Sequence, residues 1–266
     1  MSHFLSDIGN MLLIDDDFAT ESLCDDGGGR GRVPRDFAKE PFGSLPFAGP
    51  FDLPLIPRSE WSERIEAIER SKSRLTDLCD VLGVKVKNQQ QTNYCWINAP
   101  VHCLEIIRAV QGQKYVELSP ASVGAKIKGF RNEGGWGTEG LRYLVDHGCV
   151  PTSLWPANAI DRKYDNHEAD AARAHYQVDE WYDLQPRSFV QLMTCLFHRF
   201  PVAIGLNWWG HEVTAMNPVK LDGSDRFGVT IDNSWGTDWG ENGRSVLSES
   251  KATPDDAVAP RVGTAS

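Results

Sequence analysis

Apolar positions three and four apart characterise the middle of this chain, and short continuous or alternating apolar runs characterise its last third. Over 59–79, Trp61, Ile65, Ile68, Leu75 and Cys79 fall on one stripe that Lys72 interrupts, and Ser59 stands where a helix cap belongs. The spacing predicts a helix there. A second helix is predicted from Cys95 through "WINAPVHCLEIIRAV", with a local irregularity at Pro100, which lacks a backbone donor. "SPASVGAKIKGF" and "TEGLRYLVDHG" read as further helices, the latter closed by Gly148. After about residue 175, "PVAIGLN", "HEVTAMNPV" and "RFGVTIDNS" read as strands between Gly, Asn and Asp turns. Helices first and strands later predict an α+β fold.

Residues 1–57 lack this periodicity. Acidic runs, "GGGRGR" and the breaker-rich "EPFGSLPFAGPFDLPLIP" predict an extended leader. Its Phe and Leu residues are too many for a solvated linker, so it is expected to dock on the domain, and to act as an autoinhibitor if it lies across a cleft. The basic cluster at 29–32 reads as a flexible tether. The domain is expected over 58–248, and 249–266 as a loose tail.

Composition narrows the function classes. With 266 residues, 41% hydrophobic and 24% charged, the chain reads as globular. A net charge of -10 argues against nucleic acid or an anionic membrane as partner. No apolar stretch approaches a membrane span, and the start is a poor secretory signal. Cys24, Cys79, Cys95, Cys103, Cys149 and Cys195 show no CxxC spacing, so no metal or cofactor is expected. Reduced thiols in a cytoplasmic protein are the expectation.

Cys95 opens a predicted helix, where the dipole and unpaired N–H groups favour thiolate. A lone Cys nevertheless usually just packs. A nucleophilic thiol needs an imidazole. Among seven histidines, His211 is distinctive because it follows a Gly and opens a predicted strand. Asn233 ends the next strand and can orient its ring.

Four motifs in register give these residues a context. "VKNQ" six positions before "CW", then "NEGGW", "GHEV" and "NSWGTDWGENG", over roughly 85–245, resemble the papain family of cysteine peptidases. The resemblance implies a two-lobed papain-like fold, with a helical left lobe, an antiparallel β right lobe and a cleft between them. It also implies a peptidase acting on peptide or protein substrates through a Cys95 thiolate and His211 imidazolium. Gln89 would line the oxyanion hole, Asn233 would orient His211, and Trp235 would shield that hydrogen bond. Gly134, Gly135 and Trp136 would line the cleft.

The chain departs from the family at several points. Thr92 and Asn132 stand where a disulfide pair is usual, which fits a reducing compartment. Tyr94 replaces a small residue and is expected to narrow the cleft. Glu212 either faces a specificity pocket, favouring a basic side chain, or points outward from its strand. "NWWG" shortens the stretch before His211. An inactive papain-like binding module is the alternative function. A third class, amidase or transglutaminase-like acyl chemistry, is disfavoured by the Gln and Asn-Ser-Trp motifs.

Overall fold

The computed structural model of the protein describes residues 11–19, 23, 28–43, 48–49, 51–223 and 225–263. Two short strands lie in the leader, β1 (Leu13–Ile14) and β2 (Ala48–Gly49). Helices follow: α1 (Trp61–Arg70), α2 (Leu75–Leu82) and the long α3 (Cys95–Val110). A small ribbon of β3 (Leu118–Ser119) and β4 (Val150–Pro151) brackets α4 (Ala121–Ile127) and α5 (Gly137–Asp146). The last third contains α6 (His167–Arg173), β5 (Glu180–Leu184), α7 (Phe189–Phe197) and β6 (Val202–Leu206). It ends with β7 (His211–Lys220), β8 (Phe227–Asp232), β9 (Arg244–Ser248), α8 (Glu249–Ala252) and β10 (Asp256–Arg261).

Fourteen of the sixteen residues of α3 are buried, which makes it the internal helix of the fold. Pro100 lies inside it without breaking it, because Pro removes one donor and the flanking turns remain packed. The stripe over 59–79 divides into α1 and α2. Lys72 adopts a left-handed backbone (φ 50°) that reverses the chain between them. Ser59 sits in a short 3₁₀ turn before α1, and the helix has no side-chain cap. The close of α5 is as expected: Gly148, at φ 84°, donates its N–H to Tyr143.

Eight strands form one sheet in the order β1-β9-β8-β7-β6-β10-β5-β2. Interior neighbours are antiparallel, while the leader strands β1 and β2 add in parallel at the two edges. The leader therefore covers both rows of unpaired backbone groups. One apolar cluster lies among α3, α4 and α5 and includes Trp96, Leu104, Leu141 and Trp155. Another joins the sheet to α1 and α7 through Trp61, Leu192, Ile204 and Phe227. These are the cores of a helical lobe and a β lobe, and the fold is α+β.

Among the described residues, 249–263 are not a loose tail. β10 lies between β6 and β5, with Ala257, Val258 and Ala259 buried. Its Pro260 disguised it in the sequence. Pairing to β6 ends at Val258, so the missing N–H of Pro260 falls beyond that ladder. Cys24 and the last three residues lie outside the described residues. The five described cysteines are all unpaired. Next to Thr92, Asn132 Oδ1 accepts from the backbone N–H of Asn93 at 2.6 Å and its carbonyl accepts from the Asn93 side-chain amide at 3.1 Å.

Candidate active site

Cys95 is the first residue of α3, so its backbone N–H has no partner within the helix. Gln89 returns to this helix start through a turn closed by Thr92 N–H donating to Gln89 O, with Gln90 left-handed at φ 51°. The Gln89 amide is held on both sides. Its Oε1 accepts from the Ser234 hydroxyl and its Nε2 donates to Thr92 O at 2.7 Å. Two donors thus converge outside the helix, and an oxygen occupies their focus. Cys95 N–H lies 3.3 Å and Gln89 Nε2 3.1 Å from the carbonyl oxygen of Arg30, in the leader.

The hairpin 207–210 joins β6 to β7, and Gly210 at φ 63° completes the turn that aims His211 inward. His211 Nε2 lies 2.8 Å from Asn233 Oδ1. An amide oxygen only accepts, so Nε2 carries the proton and Nδ1 carries the lone pair. Nδ1 is buried without a hydrogen-bond partner. Asn233 Oδ1 also accepts from Ser234 N–H at 2.7 Å, which fixes the amide plane. Trp235 covers the imidazole at 4.8 Å, and Trp209 meets it edge-on at 5.0 Å. The sulfur of Cys95 receives the backbone N–H of Glu212, the residue after His211.

Burial decides the protonation states of this arrangement. It pushes the Cys95 thiol well above its ordinary range, with the Glu212 charge adding to the effect. It pulls His211 down to about 3, against the hydrogen bond to Asn233. With the leader in place the pair is therefore a neutral thiol and a neutral imidazole. The thiolate expected from the helix start is overridden by desolvation.

The leader runs through the cleft as a strand. Gly135 N–H donates to Gly31 O at 3.0 Å and Val33 N–H to Gly135 O at 2.8 Å, a parallel bridge centred on Arg32. Gly29 and Gly31 explain how it comes so close. A Cβ on either would stand 2.1 Å from a backbone oxygen of Thr92 or Asn93. The segment that reads as a tether is a fitted insert: composition suggested slack, whereas the glycines serve close approach. Trp235 Nε1 donates to Gly29 O at 2.8 Å, so the shield of the His–Asn pair also grips the leader.

The remaining predicted residues divide. Gly134 and Gly135 line the cleft, and a Cβ on Gly134 would meet Gly31 O at 2.3 Å. Trp136 contacts the leader through Glu40, which accepts from its indole. Glu212 is 1% exposed and faces Arg32 instead of solvent. Tyr94 does not narrow the cleft. It is 1% exposed, packs on Trp96 in the helical lobe and donates its hydroxyl to Arg131 O, where an amphipathic ring finds both partners.

Sequence reasoning missed Trp209, Ser234, Arg30, Arg32 and Asp256. It also left His102 as merely a second histidine of the Cys95 helix. His102 Nε2 lies 3.0 Å from Asp232 Oδ2, directly behind Asn233, and Arg244 binds the other Asp232 oxygen at 3.1 Å. Among the described residues no cluster suits a metal ion, and no helix is long and apolar enough to cross a membrane.

No protein-family model matches the chain. It is 28% identical over 191 residues to cathepsin L 2 of Paramecium tetraurelia, covering 65% of this chain and 58% of that protein. It is 25% identical over 184 residues to cysteine protease 1 of Oryza sativa subsp. japonica, covering 59% of this chain and 36% of that protein. The chain thus spans less than two thirds of either relative's length. The digestive procathepsin L 3 of Tenebrio molitor larval midgut superposes with a TM-score of 0.66 at 17% identity, over 92% of this chain and 80% of that one. Xylellain, a cysteine protease from Xylella fastidiosa, superposes with a TM-score of 0.60 at 15% identity, over 89% and 97%. The chain resembles papain-family cysteine peptidases in sequence and shares their fold.

Proposed function

We propose that the protein is a cysteine peptidase whose leader, residues 1–57, occupies and inhibits the active site. The observation that carries this reading is the convergence of Cys95 N–H and Gln89 Nε2 on one carbonyl oxygen, the arrangement a developing oxyanion requires. A decayed copy has no need of two pre-aimed donors, a Cys at the helix start and a His held in one tautomer.

With the leader displaced, water re-enters and the desolvation that favours the neutral pair is relieved. His211 Nδ1 takes the proton of Cys95 Sγ, and the thiolate attacks the substrate carbonyl carbon, forming a C–S bond. The oxyanion is held by Cys95 N–H and Gln89 Nε2. The carbonyl reforms as the C–N bond breaks, and the Nδ1 proton leaves with the amine. His211 then deprotonates a water that attacks the thioester, releasing the acid and regenerating the thiol. Asn233 keeps the proton on Nε2 and leaves Nδ1 free to act as the base, and Trp235 and Trp209 exclude water from that hydrogen bond.

Inhibition by the leader is supported by its position and by its two edge strands. The Tenebrio structure is of a precursor, and its overlap with 92% of this chain is too wide to leave the leader out. The five described cysteines are free and Thr92 and Asn132 replace a bridge, which supports a reducing, intracellular setting.

The test is labelling by an epoxide thiol trap, followed by peptide mapping. Full chain carrying Gly31→Val, which cannot keep the leader against Asn93, is expected to label at Cys95. Adding His211→Ala is expected to abolish the label. A folded Gly31→Val chain that does not label under reducing conditions overturns the peptidase reading in favour of a non-catalytic module.

A further inference from the structure

Arg32 sends its guanidinium from the leader into a recess built by β6, β7 and the segment around β10. Nε donates to Asn207 Oδ1 at 3.1 Å, Nη2 pairs with Asp256 Oδ1, and Nη1 lies 3.7 Å from Glu212 Oε2. The side chains of Arg32 and Glu212 are each 1% exposed, and that of Asp256 is 3% exposed. The floor is Gly205 of β6. A Cβ there would stand 1.9 Å from Nη1 and 2.3 Å from the guanidinium carbon. The recess is therefore shaped to a planar cation as well as charged for one.

The fit of Arg32 is incomplete. Glu212 Oε2 and Arg32 Nη1 are both buried without a hydrogen-bond partner, their separation being too long for one. The two carboxylates belong to the domain, not to the leader. When the leader leaves, they remain in a recess that disfavours charge unless another cation enters. The backbone around Arg32 also lies on Gly135, the segment that the family resemblance assigns to substrate main chain.

We propose that Glu212, Asp256, Asn207 and Gly205 form a substrate subsite selective for a guanidinium, taking an arginine at the residue whose backbone pairs with Gly135. The word substrate rests on the peptidase reading, whereas the guanidinium recess rests on its own geometry. Arg32 is then a stand-in from the leader for the side chain the subsite selects.

The test uses the full chain in two arms. In Arg32→Ala the recess is vacated, and thermal unfolding is followed with millimolar methylguanidinium, with tetramethylammonium as the control cation. Methylguanidinium is expected to raise the Tm of Arg32→Ala and leave the wild type unchanged, and tetramethylammonium to do neither. The rise is expected to vanish when Glu212→Gln and Asp256→Asn, or Gly205→Val, are added. If Arg32→Ala does not fold, Arg32→Gln keeps the stem and is measured in the same way. No selective rise overturns the recess.

In the second arm, Arg32→Ala is combined with Gly31→Val, which displaces the leader, and assayed with a positional-scanning library of fluorogenic peptides. Arginine is expected to be preferred over leucine by about tenfold at one position, a preference lost with Glu212→Gln and Asp256→Asn. Turnover without that preference overturns the subsite and leaves the peptidase reading intact. No turnover, together with selective rescue by methylguanidinium, overturns the peptidase reading and leaves the guanidinium recess standing.

Discussion

The carbonyl oxygen of Arg30 lies 3.3 Å from the backbone nitrogen of Cys95, although the two residues belong to segments with opposite roles. One supplies the candidate nucleophile, and the other fills the space in which that nucleophile would act. The leader places its own carbonyl oxygen at the focus of the two donors that the proposed oxyanion hole would use.

Loosening this contact is expected to activate the protein. Gly29→Val places side-chain atoms against Thr92 O, and Gly31→Val against Asn93 O. Either substitution is expected to raise the rate of Cys95 labelling by about tenfold or more, since 1.4 kcal/mol of lost leader docking suffices for each factor of ten. Equal labelling rates in wild type and both variants would show that the leader does not limit access.

Removing one oxyanion donor gives a separate signature. In a Gly31→Val background, Gln89→Ala is expected to lower kcat by about 10²–10³, while Cys95 alkylation is expected to change little. The alkylating reagent here is iodoacetamide, which forms the C–S bond as iodide leaves and so develops no oxyanion. Parallel loss of turnover and alkylation would assign Gln89 to holding Ser234 and Thr92 instead.

Acid stability reports on His211. Its folded pKa, about 3, lies below the ordinary value of 6.5, so the unfolded chain binds the extra proton first. The contribution is fully present above about 6.5 and is lost as pH falls toward 3, with a limiting slope of about 1.4 kcal/mol per pH unit. His102 has the opposite sign. Burial lowers its pKa, but Asp232 and then Glu105 raise it above the ordinary value, so its contribution is present below 6.5 and lost as pH rises past that raised value. Denaturant unfolding between pH 7 and 4 is expected to show a shallower acid loss in His211→Phe than in wild type. An unchanged slope would refute the assignment.

Stopping the chain at 248 is expected to prevent folding, because β10 is paired on both sides and its removal separates β5 from β6. Circular dichroism and gel filtration of that truncation check this. A stable, monomeric product with native ellipticity would contradict it. Arg35→Ala is expected to cost about 3–5 kcal/mol, since it strands Asp183, whose fully buried carboxylate Arg35 binds through both nitrogens.

The sequence by itself determined the candidate site residues and most of the scaffold. Cys95 at a helix start, Gln89 six residues before it and Asn233 at a strand end are local features, carried by spacing and turn residues a few positions apart. The α3 and α5 helices and the β6–β8 strands were legible for the same reason, since hydrophobic periodicity is a short-range signal.

Only the tertiary structure decided which partners these features meet. Both His102 and His211 lie beside the end of β8; spacing already suggested Asn233 for His211, whereas the fold alone pairs His102 with Asp232. It alone directs Tyr94 away from the cleft, places β10 within the sheet and inserts Arg32 between Glu212 and Asp256. Each of those outcomes depends on residues more than thirty positions apart, brought together by close packing and by the need to pair buried charge, which no local pattern records.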